Sequence, residues 1–362
     1  MHVHFVGEAD DGLSVSSHHA RALARAGVEV SFGADGVVDR STIKTTDVVH
    51  LVTQEQRDNR LFRSLVGARA AGLPVVRFWT GRDVIWARHH EPTLQIARDL
   101  ATLGTVQLAR TPELVADLAD LEITASVGPV LSINLSDTAS PQPLPKHFTV
   151  LCYLPSRERA YHGGAWVDAL IHWLPNVRFL ILGDSDTDYS AQKNVESLGF
   201  VGDVARTIQR STVTIVPRID GILSRLTLET LSHGRHAITT HPWPHCEHAD
   251  SVDAFLSTIR HLSRDPQFNL VGREAVCRDY DRKVSLAAML QLLEECGDPS
   301  SPAKKLRGGW LGVAARLRRS GILRSEVFDL PEPDDLPPEA SALRVLLTAQ
   351  PQERPALQGE AS

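Results

Sequence analysis

Short apolar runs alternate with longer amphipathic segments along most of this chain, and the alternation starts twice. That rhythm fits parallel strands joined by crossover helices, and little else. Residues 2–7, 28–32, 47–52, 75–79, 105–109 and 124–127 read as strands, and 14–26, 58–71 and 112–121 as helices. Gly27 stops the first helix, Gly72 and Pro74 mark a turn, and Thr111 before Pro112 opens the third helix. Residues 136–147 (SDTASPQPLPKH) hold three prolines and no apolar period, which predicts a linker. The pattern then restarts, with strands at 148–154, 177–182, 198–201, 212–216 and 236–239. Helices are expected at 164–174, 203–210, 225–233, 251–263 and 270–296. The chain is therefore expected to be α/β, with two Rossmann-like domains at 1–135 and 148–297.

Composition narrows the classes of function. Of 362 residues, 42% are hydrophobic and the net charge is −6, so no global basic field draws the chain to nucleic acid. Cys152, Cys246, Cys277 and Cys296 are scattered, as in a reduced intracellular protein. The start has no basic leader and no apolar run is long enough to span a bilayer, which predicts a cytoplasmic protein. Residues 298–329 are basic and expected to be helical, while 330–362 are acidic, Pro-rich and expected to be disordered. Within the basic tail, 304–319 sets Lys304, Lys305, Arg307, Arg316, Arg318 and Arg319 around Trp310 and Leu311. This is either a solvated helix crossing back to the first domain or a peripheral contact with the inner face of the plasma membrane.

Two such sheets place a cleft at the carboxyl ends of their strands. The most informative loop there runs from Pro217 to Gly234. Ser224 can cap the next helix, aiming the amides of Arg225, Leu226 and Thr227 at an anion. Arg218 and Arg225 add charge suited to a diphosphate. Glu229 sits where a carboxylate can accept ribose hydroxyls, or simply complement the helix dipole.

The stretch Asp220-Gly-Ile-Leu-Ser-Arg-Leu-Thr-Leu-Glu-Thr-Leu-Ser-His-Gly234 resembles the loop and helix that end the second sheet of retaining GT-B glycosyltransferases of family 4. Arg178-Phe-Leu-Ile-Leu-Gly-Asp184, Leu198-Gly-Phe-Val-Gly202, Asp47-Val-Val-His50 and Phe78-Trp-Thr-Gly-Arg-Asp83 resemble further blocks of that family, in order, across roughly 1–296. The resemblance implies a GT-B fold, with the two parallel sheets facing a central cleft. It implies a nucleotide diphosphate sugar as donor, bound by the second domain, and no cofactor or metal. It further implies that Glu229 contacts the ribose and that Arg157 or Arg159 neutralises the diphosphate. The backbone at Leu226 and Thr227 would touch the phosphates, and the loop after Gly7 would close over the donor. Asp220 and Glu229 are one residue further apart than in the family, and Tyr161-His-Gly163 stands near the expected Lys.

Other residues admit two readings each. His50 closes a buried strand and either serves the core or faces the cleft; with Asp220 and Glu229 it completes the catalytic candidates. Asp83, after Gly81, caps a helix or binds acceptor hydroxyls. Asp184, Asp186 and Asp188, and the run His241 to His248, have metal-capable side chains but read as loops. The expected activity is a hexosyltransferase-like, metal-independent transfer, with retention, to a hydroxyl of a glycan or lipid-linked acceptor. The rival readings are an inactive GT-B partner subunit and a nucleotide-sugar 2-epimerase.

Overall fold

A computed structural model describes residues 1–7, 14–33, 38, 40–52, 59–131, 135, 140–156, 159–183, 189, 191–218 and 223–298. Arg157, Asp220, the 184–188 acidic run, part of the linker and the whole of 299–362 lie outside the described residues. The first sheet holds six parallel strands: β1 His2–Gly7, β2 Glu29–Phe32, β3 Val48–Val52, β4 Val75–Trp79, β5 Val106–Ala109 and β6 Ser126–Val127, in the order β2-β1-β3-β4-β5-β6. Its helices are α1 Val15–Arg25, α2 Arg40–Thr45, α3 Asn59–Ala70, α4 Arg82–His89, α5 Glu91–Thr102 and α6 Pro112–Asp120.

The second sheet also holds six parallel strands: β7 Thr149–Tyr153, β8 Arg178–Leu182, β9 Val195–Gly199, β10 Val213–Val216, β11 His236–Thr239 and β12 Glu247–His248, ordered β12-β11-β10-β7-β8-β9. It is covered by α7 Gly164–Trp173, α8 Val204–Gln209, α9 Arg225–Ser232, α10 Val252–Arg264, α11 Leu270–Asp279 and α12 Arg282–Gly297. Both central strands are buried throughout because helices cover both faces of each sheet, and their sequences (VVHLV, VTIV) are continuously apolar or nearly so.

Three differences from the sequence reading have local causes. The helix expected over 270–296 is two helices, because Asp281 accepts the amides of Lys283 and Val284 and starts a new cap. The strand expected at 198–201 lies earlier, at Val195–Gly199, where the register shifts opposite Ile181 and Leu182 and Gly199 takes φ 62°. Helices α4 and α5 fill a stretch left without an element above: their N-cap positions, Gly81 and His90, make no side-chain capping bond, and only Pro92 and acidic Asp83 and Glu91 in their first turns mark them.

Helix α12 does not stay with the second sheet. It packs on α1 and β3 of the first. One apolar cluster runs from Val3, Phe5 and Leu23 through Met289 and Leu293 of α12 to Leu228 and Leu231 of α9. The helix that carries the anion-site candidates is thus anchored in a core shared by both domains. The chain's other crossing is held by Arg235, buried and donating to the carbonyls of Pro143 and Gln209. Among the described helices none is long and apolar enough to cross a membrane.

Candidate functional site

The order of each sheet reverses once, between β1 and β3 in the first and between β7 and β10 in the second. In open parallel sheets a ligand sits at the carboxyl ends beside such a reversal. A cleft of about 380 Å3 lies there, lined from one side by Val15, His18, Thr80, Arg82 and Arg110. The other side is built from the ends of β7 to β10 and the first turn of α9, and includes Tyr153, Tyr161, Phe200, Arg218, Arg225 and Glu229.

Glycines set the second wall. Gly163 has φ 72°, and a Cβ there would lie 2.2 Å from the Pro217 carbonyl oxygen. The loop after β7 and the loop after β10 can approach this closely only because that position has no side chain. The approach carries Tyr161 under Arg218, whose guanidinium donates to the Tyr161 hydroxyl at 2.6 Å and lies 5.0 Å from its ring centroid. Arg82, from the first domain, reaches the same ring at 5.6 Å. Gly183, at φ 83°, clears the Tyr153 ring, which a Cβ would meet at 2.4 Å. Phe200 stands 73% exposed at the end of β9, an apolar surface turned to the cleft.

At α9 the Ser224 hydroxyl accepts the Thr227 amide at 3.0 Å, so the cap forms as expected. The same bond uses the Thr227 amide, and Thr227 is fully buried and away from the cleft lining. Arg225 and Leu226 remain at the cleft. Arg225 donates to His18 Nε2 across the cleft at 2.6 Å and pairs with Glu229 at 3.4 Å, one turn on. A second link between the walls runs from Arg110 to the Leu223 carbonyl at 3.5 Å.

Three other candidates are not brought to the cleft. Arg159 bonds Asp168 of α7 at 2.6 Å and the Tyr189 hydroxyl at 2.8 Å, and it does not line the cleft. His50 is fully buried, stacked 4.9 Å from Phe5 and edge-on to His19, and burial drives its pKa down to about 4. Neither ring nitrogen of His50 or His19 has a hydrogen-bond partner among the described residues. Asp83 is 2% exposed and accepts the amides of Thr80, Gly81 and Val84, which fixes the turn that presents Thr80 and Arg82. Burial raises its pKa to about 6, against the pull of the Arg77 charge behind it and of those amides. Gly7 ends β1 at φ 97°, and the loop beyond it lies outside the described residues.

Tyr153, Phe200, Arg82 and Arg110 line the cleft without having been assigned a role from the sequence; Tyr161 was noted only as standing near the expected Lys, and His18, which reads as helix surface, lines the cleft as well. For Tyr153 a signal exists, its place at the end of a strand, and for Tyr161 its place two residues before Gly163. For the single arginines there is none. Among the described residues no group of three His, Cys, Asp or Glu side chains is placed to hold a metal ion.

Neither a protein-family profile nor a curated protein sequence matches the chain. Solved structures do match in fold. A sucrose-phosphate synthase from Thermosynechococcus elongatus aligns at TM-score 0.62 and 13% identity, over 82% of this chain and 98% of its own. HepE from Anabaena in complex with UDP aligns at 0.61 and 13% identity, over 81% and 100%. A glycosyltransferase from Rickettsia africae aligns at 0.60 and 12% identity, over 83% and 99%. The architecture is GT-B, two Rossmann-like domains whose parallel sheets face a central cleft.

Proposed function

We propose that the protein is a glycosyltransferase that takes its sugar from a nucleoside diphosphate sugar. The observation that carries this reading is the convergence of four arginines, two from each domain, on one cleft at the carboxyl ends of two Rossmann-like sheets, in a chain of net charge −6. Glu229 is the one carboxylate among the described lining residues. The binding of UDP and UDP-glucose by structures of the same fold supports the same donor class.

Arg218, Arg225 and the first amides of α9 meet the diphosphate, the guanidiniums by paired N–H bonds and the helix by its positive end. Glu229 accepts the ribose hydroxyls, and Tyr153 and Phe200 offer the base an aromatic floor. In the transfer, the bond from the sugar anomeric carbon to the diphosphate oxygen breaks and its electron pair stays with the diphosphate. The acceptor hydroxyl oxygen bonds to that carbon and its proton passes to the departing phosphate. The arginines stabilise the charge gained by the leaving group, the step at which fixed charge accelerates most. Because arginines supply that charge, the transfer proceeds without a divalent cation. Retention of configuration rests on the family resemblance.

Calorimetric titration with UDP, GDP, ADP and dTDP tests the reading. At least one binds the wild type, and Arg218→Ala or Arg225→Ala weakens it about tenfold or more. Failure of all four to bind overturns the donor class. Loss of turnover in EDTA, restored by Mn2+, overturns the arginine account, and the anomeric configuration of the product by NMR decides retention.

A further inference from the structure

Arg225 stands on the second domain but is seated partly by the first. Its Nη1 donates to His18 Nε2 across the cleft at 2.6 Å, and its Nε lies 3.4 Å from a Glu229 carboxylate oxygen one turn on. Its Nη2 makes no hydrogen bond among the described residues. Arginine only donates and keeps its charge, so the imidazole must accept. His18 is therefore neutral in this contact, with its proton on Nδ1.

The base of His18 is fixed. It stands in the first turn of α1, where the Ser14 hydroxyl accepts the Ser17 amide at 3.1 Å and caps the helix. The next residue, His19, is fully buried, edge-on to His50 at 5.5 Å and to Phe78 at 4.8 Å. Helix α12 packs on the same helix. The core thus sets the rotation of α1, and that rotation leaves His18 half-buried at the cleft.

A long guanidinium side chain loses rotamer freedom when a ligand orders it, and the loss counts against affinity. Where the fold already holds the side chain, the ligand meets it in place. Glu229 and His18 give Arg225 two holds, one from its own helix and one from the facing domain. They leave Nη2 and one Nη1 hydrogen for phosphate oxygens, on a planar group suited to paired contacts.

We infer that His18 is a positioning residue of the donor site: its neutral imidazole holds Arg225 in the pose that meets the diphosphate. The inference rests on the glycosyltransferase reading of the cleft and adds a first-domain residue to its donor half. His18 acts through Arg225.

The test is calorimetry on the full chain with whichever of UDP, GDP, ADP and dTDP binds it. His18→Phe keeps a ring and removes the acceptor, and it weakens that nucleotide about fivefold. His18→Gln places an amide oxygen where Nε2 stood and restores affinity to within about twofold of wild type. In an Arg225→Gln background, His18→Phe changes affinity by less than about twofold, because the side chain it positions is gone. An equal loss in both backgrounds is what a merely structural role gives, and it overturns the inference. So does His18→Phe binding as tightly as wild type or more so, since the bridge would then be neutral or a bar to the ligand. His18→Gln as weak as His18→Phe also overturns it, because the acceptor atom would not be what matters. If no nucleotide binds the wild type, the donor reading falls, and inorganic pyrophosphate carries the same comparison. Pyrophosphate binding that depends on His18 only while Arg225 is present keeps the inference for a bare diphosphate, and no binding overturns it.

Discussion

The two domains share a sheet plan but build their halves of the cleft by different means. The second-domain wall takes its shape from close backbone approaches. Loops after β7, β8 and β10 approach one another where Gly163 and Gly183 permit it, and α9 brings its capped first turn to the same place. The first-domain wall is made of side chains standing on a polar interior. Arg77, His19 and His50 are buried beneath it with ring or guanidinium nitrogens that have no hydrogen-bond partner among the described residues. A wall shaped by such approaches is rigid and intolerant of added atoms. A wall on buried polar groups is sensitive to protonation.

The sharpest way to break this contrast is Gly163→Ala. The new Cβ would meet the Pro217 carbonyl, and the positive φ adds strain. A loss of about 3–4 kcal/mol is expected, with nucleotide binding abolished, read by urea midpoint and calorimetry. A midpoint within experimental error of wild type would show that the loops have room to part.

Acid should act on the other half. His50 titrates near 4 in the fold and near 6.5 in the unfolded chain, so the unfolded chain takes up the proton first as pH falls. Stability from its neutral burial is complete above about 6.5 and is lost progressively toward 4, on the order of 3 kcal/mol. His19, lowered chiefly by burial, adds in the same direction. Unfolding midpoints of wild type and His50→Leu across that range measure this. An equally steep acid loss in the variant would assign it elsewhere.

Asp83→Ala removes an acceptor shared by three amides and should cost about 2 kcal/mol. It should weaken nucleotide binding less than Arg218→Ala does, because it loosens only the turn of Thr80 and Arg82. The smallest effect belongs to Arg159→Ala. Its pair with Asp168 is partly exposed, so a change below about 1 kcal/mol and an unaltered nucleotide affinity are expected. A fall in nucleotide affinity would return Arg159 to the donor site.

The contrast also explains what could be read from the sequence. Strand runs and a capped helix leave local marks, so the two parallel sheets, the loop from Pro217 and the cap at Ser224 were legible. Arg225, Leu226, Arg218 and Glu229 follow from that loop and do line the cleft. Arg159 and His50 lie away from the cleft lining, which neither mark could show, since neither says which way a side chain leaves a loop or a sheet. Asp83 had both of its roles open, and only the turn geometry shows the carboxylate spent on amides. Arg82 and Arg110 follow strand ends without any spacing to distinguish them from ordinary surface arginines, and their placement depends on how one domain meets the other.

Helix α12 has a consequence for how the chain is made. It lies against α1 and β3 although it is almost the last of the described segments. The ribosome therefore releases the first sheet well before the helix that completes its cover. At roughly 5–20 residues per second, the wait between the end of β6 and the end of α12 is on the order of ten seconds or more. Through that interval an apolar patch around Val3, Phe5 and Leu23 lacks Met289 and Leu293. A nascent chain in that state is a natural client for chaperones, and a truncation before α12 should yield a first domain that is insoluble when expressed alone.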